Sequence, residues 1–143
     1  MAGLVSKYKI LKDYNLIIEY HSGILNADSF IAFKKSITLD PFFMPSLNYF
    51  VHLKNVTFSK NLEEIDKYVQ FLNANSKVYG NRRVAVITNT PNQVATTTMF
   101  KMNQQNKSQS LEIFSTNESA LEWLSNNLNK KEILDILEEL MRD

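Results

Sequence analysis

The sequence predicts an α/β domain on a mixed, mostly parallel sheet, with an N-terminal β-hairpin and crossover helices. Three observations lead there. Residues 82–124 read RRVAVITNTPNQVATTTMFKMNQQNKSQSLEIFSTNESALEWL, which is a buried strand, a capped helix start, a second strand and a second capped start, closely spaced. Such alternation builds a sheet with crossover helices. Within it, Val84 to Thr88 is a continuous apolar run, the mark of a parallel strand covered on both faces. Near the N-terminus, Tyr8 to Leu11 and Leu16 to Tyr20 are short runs rich in Ile and Tyr, separated by Lys12, Asp13, Tyr14 and Asn15. That is hairpin chemistry, and it places an antiparallel strand at one edge.

The remaining elements follow in order. Gly23 closes the second strand, and a helix over roughly 28–38 carries Phe30, Phe33 and Ile37 on one face. Asp40-Pro41 stops it, and Phe42, Phe43 and Met44 before Pro45 make an apolar loop. Asn48 to Leu53 is the next strand. Asn61 with Glu64 reads as a capping box, leading a helix whose stripe is Ile65, Tyr68, Val69 and Leu72. Thr90 is the next N-cap, Pro91 the first helical residue and Gln93 the partner that completes a second box. Val94, Ala95, Thr98, Met99 and Met102 read as the inner face of that helix. Leu111 to Phe114 is a short edge strand, and Ser115 to Asn117 cap a helix bearing Ala120, Leu121, Trp123 and Leu124. Trp123 is expected to be largely buried. Asn129 with Glu132 starts a last helix bearing Ile133, Ile136, Leu137, Leu140 and Met141.

Two units are expected: a domain over 7–128 and a C-terminal helical extension over 129–143. Each crossover already has its own helix, so the helical layer reads as complete without the last one. An amphipathic stripe must still be buried. Either the helix folds back over the domain or it meets the same helix of a second chain. Symmetric pairing is the common solution, so a homodimer through the C-terminal helix is expected over a monomer in which it caps the domain.

Composition excludes several chemistries. The chain has 143 residues, the size of one domain, and no Cys. Disulfides, thiolate metal sites and thiol nucleophiles are therefore out. A net charge of +1 points to neither nucleic acid nor membrane. Met1 to Lys7 holds no signal-peptide run, and no stretch reads as a membrane span. A cytoplasmic location is the expectation. His21 and His52 are the histidines and lack a zinc ligand set. Gly3, Gly23 and Gly80 are too scattered for a phosphate or dinucleotide loop. No Ser lies in a G-x-S-x-G elbow. No catalytic set, metal or cofactor is expected.

One polar constellation has a physical rationale. In open α/β sheets ligands gather beyond the carboxyl ends of strands, where helix N-termini offer amides. Asn89, Thr90, Asn92 and Gln93 stand at one such place, and Thr57 and Ser59 at the equivalent place after the preceding strand. Together they could hold a small anion. The same residue types are also what capping alone demands. Arg82 and Arg83 begin their strand and are not expected to join this rim. Phe42, Phe43, Met44, Met99, Phe100 and Met102 form an apolar surplus, read first as core and second as the lining of an adaptable groove.

The pattern resembles the SpoIIAA-like family, a branch of the STAS fold, over Lys7 to Asn127. GILNAD (Gly23 to Asp28) is similar to the family's strand end and helix start, and Val84 to Thr88 to its fourth strand. LEIF (Leu111 to Phe114) followed by ESALEWL (Glu118 to Leu124) carries the closest likeness: a short strand ending in Phe, then an acidic residue, Ala-Leu and Trp-Leu. The resemblance implies a STAS-like fold and a non-enzymatic module, either switching through a regulatory protein partner or holding a small anionic or lipid ligand, since the family is likened to CRAL-TRIO lipid-binding domains. Departures are plain. His52-Leu53-Lys54 replaces the family's D-x-R-like setting, and the loop from Asn55 to Ser59 lacks the Asp-Ser-Gly-like motif of the phosphorylated members. Thr57 and Ser59 are the hydroxyls available there for phosphorylation. The competing class is an enzyme of unknown reaction working from the polar rim.

Overall fold

The computed structural model describes residues 3–59, 62–104 and 108–142. β1 (Val5–Leu11) and β2 (Leu16–Leu25) form the expected hairpin, antiparallel, with Leu11 opposite Leu16. A turn of 3-10 helix at Lys12–Tyr14 joins them, and Asn15 closes it at φ 53°. Asn visits that left-handed region more readily than most side chains. Then come α1 (Ala27–Ile37), β3 (Asn48–Phe58), α2 (Leu62–Ala74), a short α3 (Ser76–Tyr79), β4 (Arg82–Ile87), α4 (Pro91–Asn103), β5 (Gln109–Phe114), α5 (Asn117–Leu124) and α6 (Lys130–Met141). The five strands stand in the order β1-β2-β3-β4-β5; β1 is antiparallel to β2, and the other neighbours pair in parallel. The α/β class and the mixed, mostly parallel sheet are as expected.

Local chemistry sets the helix starts. Asn26 accepts the amide of Ser29, Thr116 that of Ser119 and Asn129 that of Glu132. Thr90 and Gln93 form the full reciprocal box. The Asn61 cap lies outside the described residues. Its expected partner, Glu64, accepts the amide of Ala27 at the start of α1, 3.1 Å away.

Sequential strand order decides where the helices go. Parallel crossovers share one hand, and crossovers that always advance in one direction deliver their helices to one face. α1, α2 and α4 accordingly pack against Ile17, Tyr49, Val51, Val84, Val86 and Leu111. The opposite face shows Leu16, Ile18, Phe50, Ala85 and Ile87, and α5 and α6 cover it. The expectation that the helical layer is complete without the last helix is thus corrected. Ile133 is 0% and Leu137 2% exposed against the chain's own sheet. The stripe that was to join two chains is used within one.

Three smaller corrections concern which face looks inward. In α4 the buried residues are Gln93 and Thr97, while Val94 and Met99 are exposed, so the inner face is the polar one. Trp123 is half-buried, its ring tilted at 47° to that of Phe114 with Arg83 over it; the fully buried residues of α5 are Ala120 and Leu121. Of the apolar surplus, Phe43 and Phe100 pack on the core, whereas Phe42, Met44 and Met102 are exposed. Among the described residues no helix is long and apolar enough to cross a membrane.

Candidate functional site

The polar rim is brought together by the fold, and most of it is committed to structure. β3 is longer than β4, and their pairing ends at His52 opposite Ile87. Beyond that point the Gln93 side chain takes the place of a neighbouring strand. Its Nε2 donates to the carbonyls of Lys54 and Val56 at 3.0 and 2.9 Å. Its Oε1 accepts the amides of Asn89 and Thr90, and its own amide donates to Thr90 Oγ1. The Asn89 and Thr90 amides are thus met by the Gln93 side chain, and the Gln93 amide by Thr90. Asn89, Thr90 and Asn92 are exposed, as is Thr57. Ser59 is half-buried, donates to the carbonyl of Leu25 at 3.3 Å and lines a cavity behind it.

That cavity, of about 110 Å³, lies between the sheet and helices α1, α2 and α4. It runs from Leu25 and Ser59 at strand carboxyl ends to Arg82 and Gln109 at the amino ends of β4 and β5. Val51, Val86, Leu72, Phe100 and Leu111 give it apolar walls, while Thr97 from α4 and Tyr49, Tyr68 and Tyr79 add hydroxyls. Two of those hydroxyls, Tyr49 Oη and Thr97 Oγ1, are buried with no hydrogen-bond partner among the described residues. Buried polar groups are normally satisfied, and here two residues of one cavity wall carry hydroxyls that are not.

The wall behind Tyr49 is charged. Alternation along β2 turns Ile17, Glu19 and His21 to the same face, and Lys34 lies on the apolar stripe of α1 with Ala27, Phe30 and Ile37. Lys34 donates to Glu19 Oε2, and His21 Nε2 lies 2.9 Å from Glu19 Oε1. Ser6 Oγ lies 2.8 Å from His21 Nδ1. Burial alone would push the Glu19 carboxyl up, but Lys34 and His21 overcome it and hold the group below its ordinary range. Ser6, His21 and Glu19 have the connectivity of an activated serine. They do not line the cavity, however, and the carboxylate is spent on Lys34.

Arg82 is the second buried cation, 7% exposed. Its guanidinium donates to the Gly80 carbonyl at 2.8 Å and to Gln109 Oε1 at 2.7 Å. It lies 5.4 Å from the ring of Tyr79 and 6.0 Å from that of Tyr49, and the Lys34 ammonium lies 4.3 Å from the Tyr49 ring. Gly80 shapes this end of the cavity. Its φ is +71°, and a Cβ there would meet the Ser46 amide nitrogen at 2.9 Å. Burial pushes the Tyr79 hydroxyl up to about 12 and the Tyr49 and Tyr68 hydroxyls well above their ordinary value, so all three are neutral, and Tyr79 donates to the Lys34 carbonyl at 3.1 Å. No group of three or more His, Asp and Glu among the described residues could hold a metal ion.

The sequence reading missed Glu19, Lys34, Arg82, Tyr49 and Thr97. Two signals were present: an acid inside the apolar run Leu16 to Tyr20, and a lysine at the helical spacing of Phe30 and Ile37.

No protein-family model and no curated protein matches this sequence. Solved structures do. A protein from the DUF3478 family with a SpoIIAA-like fold, from Shewanella loihica PV-4, superposes with TM-score 0.57 at 16% identity, over 86% of this chain and 94% of that one. An anti-sigma factor antagonist from Mycobacterium paratuberculosis superposes with TM-score 0.54 at 12% identity, over 85% and 94%. With the sequential sheet and its helices on both faces already in view, the conclusion is that this chain has a SpoIIAA-like fold.

Proposed function

We propose that this protein is a non-enzymatic binding module whose ligand site is the cavity beneath α1, α2 and α4. The observation that carries the reading is the pair of buried, unpartnered hydroxyls, Tyr49 and Thr97, on the wall of one apolar cavity. Concave, mostly apolar sites with a few convergent polar groups are the usual form of small-molecule sites. The strand-end rim from Asn89 to Gln93, with Thr57 and Ser59, is not where we place the ligand, because the Gln93 side chain already satisfies the Asn89 and Thr90 amides. Lipid binding and a cytoplasmic location were expectations from the sequence; neither is needed for this reading. Nor does it need the homodimer, since Ile133 and Leu137 face the chain's own core.

Methyl NMR tests the reading with benzene as a neutral probe. Shifts concentrated in Leu72, Val86 and Leu111 are expected, and Thr97→Leu, which fills the cavity, should reduce them severalfold. Unmoved methyls in the natural protein would end the proposal.

A regulatory protein partner is the second reading. The likeness in fold to an anti-sigma factor antagonist favours it. So does the exposed apolar loop between α1 and β3, where Leu39 is 84%, Phe42 59% and Met44 48% exposed.

A further inference from the structure

One buried cation in the cavity wall has no ion-pair partner among the described residues. The ionisable side chains lining it, apart from the tyrosines, are Lys34, Glu64 and Arg82. Each acid is taken. Glu19, just behind the wall, is closed on Lys34 and His21. Glu64, at the far end, receives the Ala27 amide at the start of α1, where the helix dipole favours negative charge. Arg82 has no carboxylate at ion-pair distance among the described residues. Its partners are the neutral Gly80 carbonyl and Gln109 side chain. A guanidinium has five N–H donors, so donors remain beyond these two bonds. Buried charges are ordinarily paired, and a buried arginine with donors to spare is the natural receptor for a planar carboxylate. The Tyr49 hydroxyl adds a neutral donor with no other partner.

Size narrows the guest. A cavity of about 110 Å³ is below the roughly 300–1,000 Å³ of drug-sized sites. It is nearer the engineered cavity of about 150 Å³ that accepts benzene. Resting on the cavity reading above, we infer that the site takes a compact apolar monocarboxylate, its carboxylate on Arg82 and the Tyr49 hydroxyl and its benzene-sized body among Val51, Leu72, Val86 and Leu111.

Calorimetric titration of the full chain with benzoate and with benzyl alcohol tests this. The two are close in shape and differ in charge. Benzoate is expected to bind at least about tenfold more tightly. In Arg82→Met that preference should shrink to about twofold, with benzyl alcohol unchanged. Tyr49→Phe keeps the shape of its side chain and should weaken benzoate about threefold. It also serves, with the natural protein's own comparison, if Arg82→Met does not fold. If benzyl alcohol binds as tightly as benzoate, the carboxylate inference is overturned while the cavity reading stands. If decanoate binds more tightly than benzoate and shifts the same methyls, the compact guest is overturned in favour of a lipid-like chain. If benzene shifts no methyl, the cavity reading falls and this inference with it; if benzene binds and benzoate does not, only this inference falls.

Discussion

The two faces of the sheet are packed by helices from different parts of the chain, and their chemistry differs. On one side α5 and α6 meet Leu16, Ile18, Phe50, Ala85 and Ile87 in an apolar core in which Leu121 and Ile133 are fully buried. On the other side α1, α2 and α4 cover Glu19, His21, Tyr49 and Arg82 and leave a cavity. Interiors are close-packed when packing is the only requirement. The first face meets that standard with apolar side chains, aliphatic and aromatic. The second buries two cations and an anion that cost free energy to desolvate and sets hydroxyls where nothing among the described residues answers them. Close apolar packing marks one face, and the proposed binding site lies in the other.

The sharpest way to break this contrast is to unpair the charges. Glu19→Ala leaves the Lys34 ammonium buried without its carboxylate, and the expected loss is about 3–5 kcal/mol in urea denaturation. Replacing both, as Glu19→Leu with Lys34→Met, should return stability to within about 1 kcal/mol of the natural protein, because an apolar pair needs no desolvation. A double variant as unstable as the single one would mean that the pair holds the fold rather than shapes the site.

Leu121→Ala probes the apolar face and should cost about 3 kcal/mol, through lost burial and the cavity left behind. It should leave benzoate affinity unchanged, since Leu121 lies across the sheet from the cavity. A large change in affinity would show that the two faces are not independent.

The smallest expected effect concerns the polar exception on the apolar face, His52, which is 4% exposed with Nδ1 unpartnered among the described residues. Burial first, and Lys54 second, bring its pKa down to about 4. In the unfolded chain it takes a proton near pH 6.5. Between those values the unfolded state binds more protons, so this contribution to stability is complete above about pH 6.5 and is lost as the pH falls toward 4. Urea midpoints at pH 7 and pH 5 should differ by on the order of 1 kcal/mol more in the natural protein than in His52→Leu. Equal differences would mean that His52 is not held neutral.

Much of the fold was legible without coordinates, because its signals are local. The hairpin at Lys12 to Asn15, the Thr90–Gln93 box and the LEIF strand before α5 each depend on residues within a few positions of one another. The face of α4 was misread for a related reason. Apolar periodicity favoured Val94 and Met99, but the unpaired carbonyls of Lys54 and Val56 called for an amide, and only the unequal lengths of β3 and β4 create that need. Likewise, the stripe of α6 was readable and its destination was not, since strand order decides which face remains uncovered.

By itself, then, the sequence determined the α/β class, the helix starts and the amphipathic stripes, all set by neighbours along the chain. The tertiary structure decided which strands adjoin, which face each helix covers, and the meeting of Lys34, Tyr49 and Arg82 around one cavity with Glu19 behind its wall. Those four side chains come from β2, α1, β3 and β4. Only strand register and packing bring them together, and no short-range pattern encodes either.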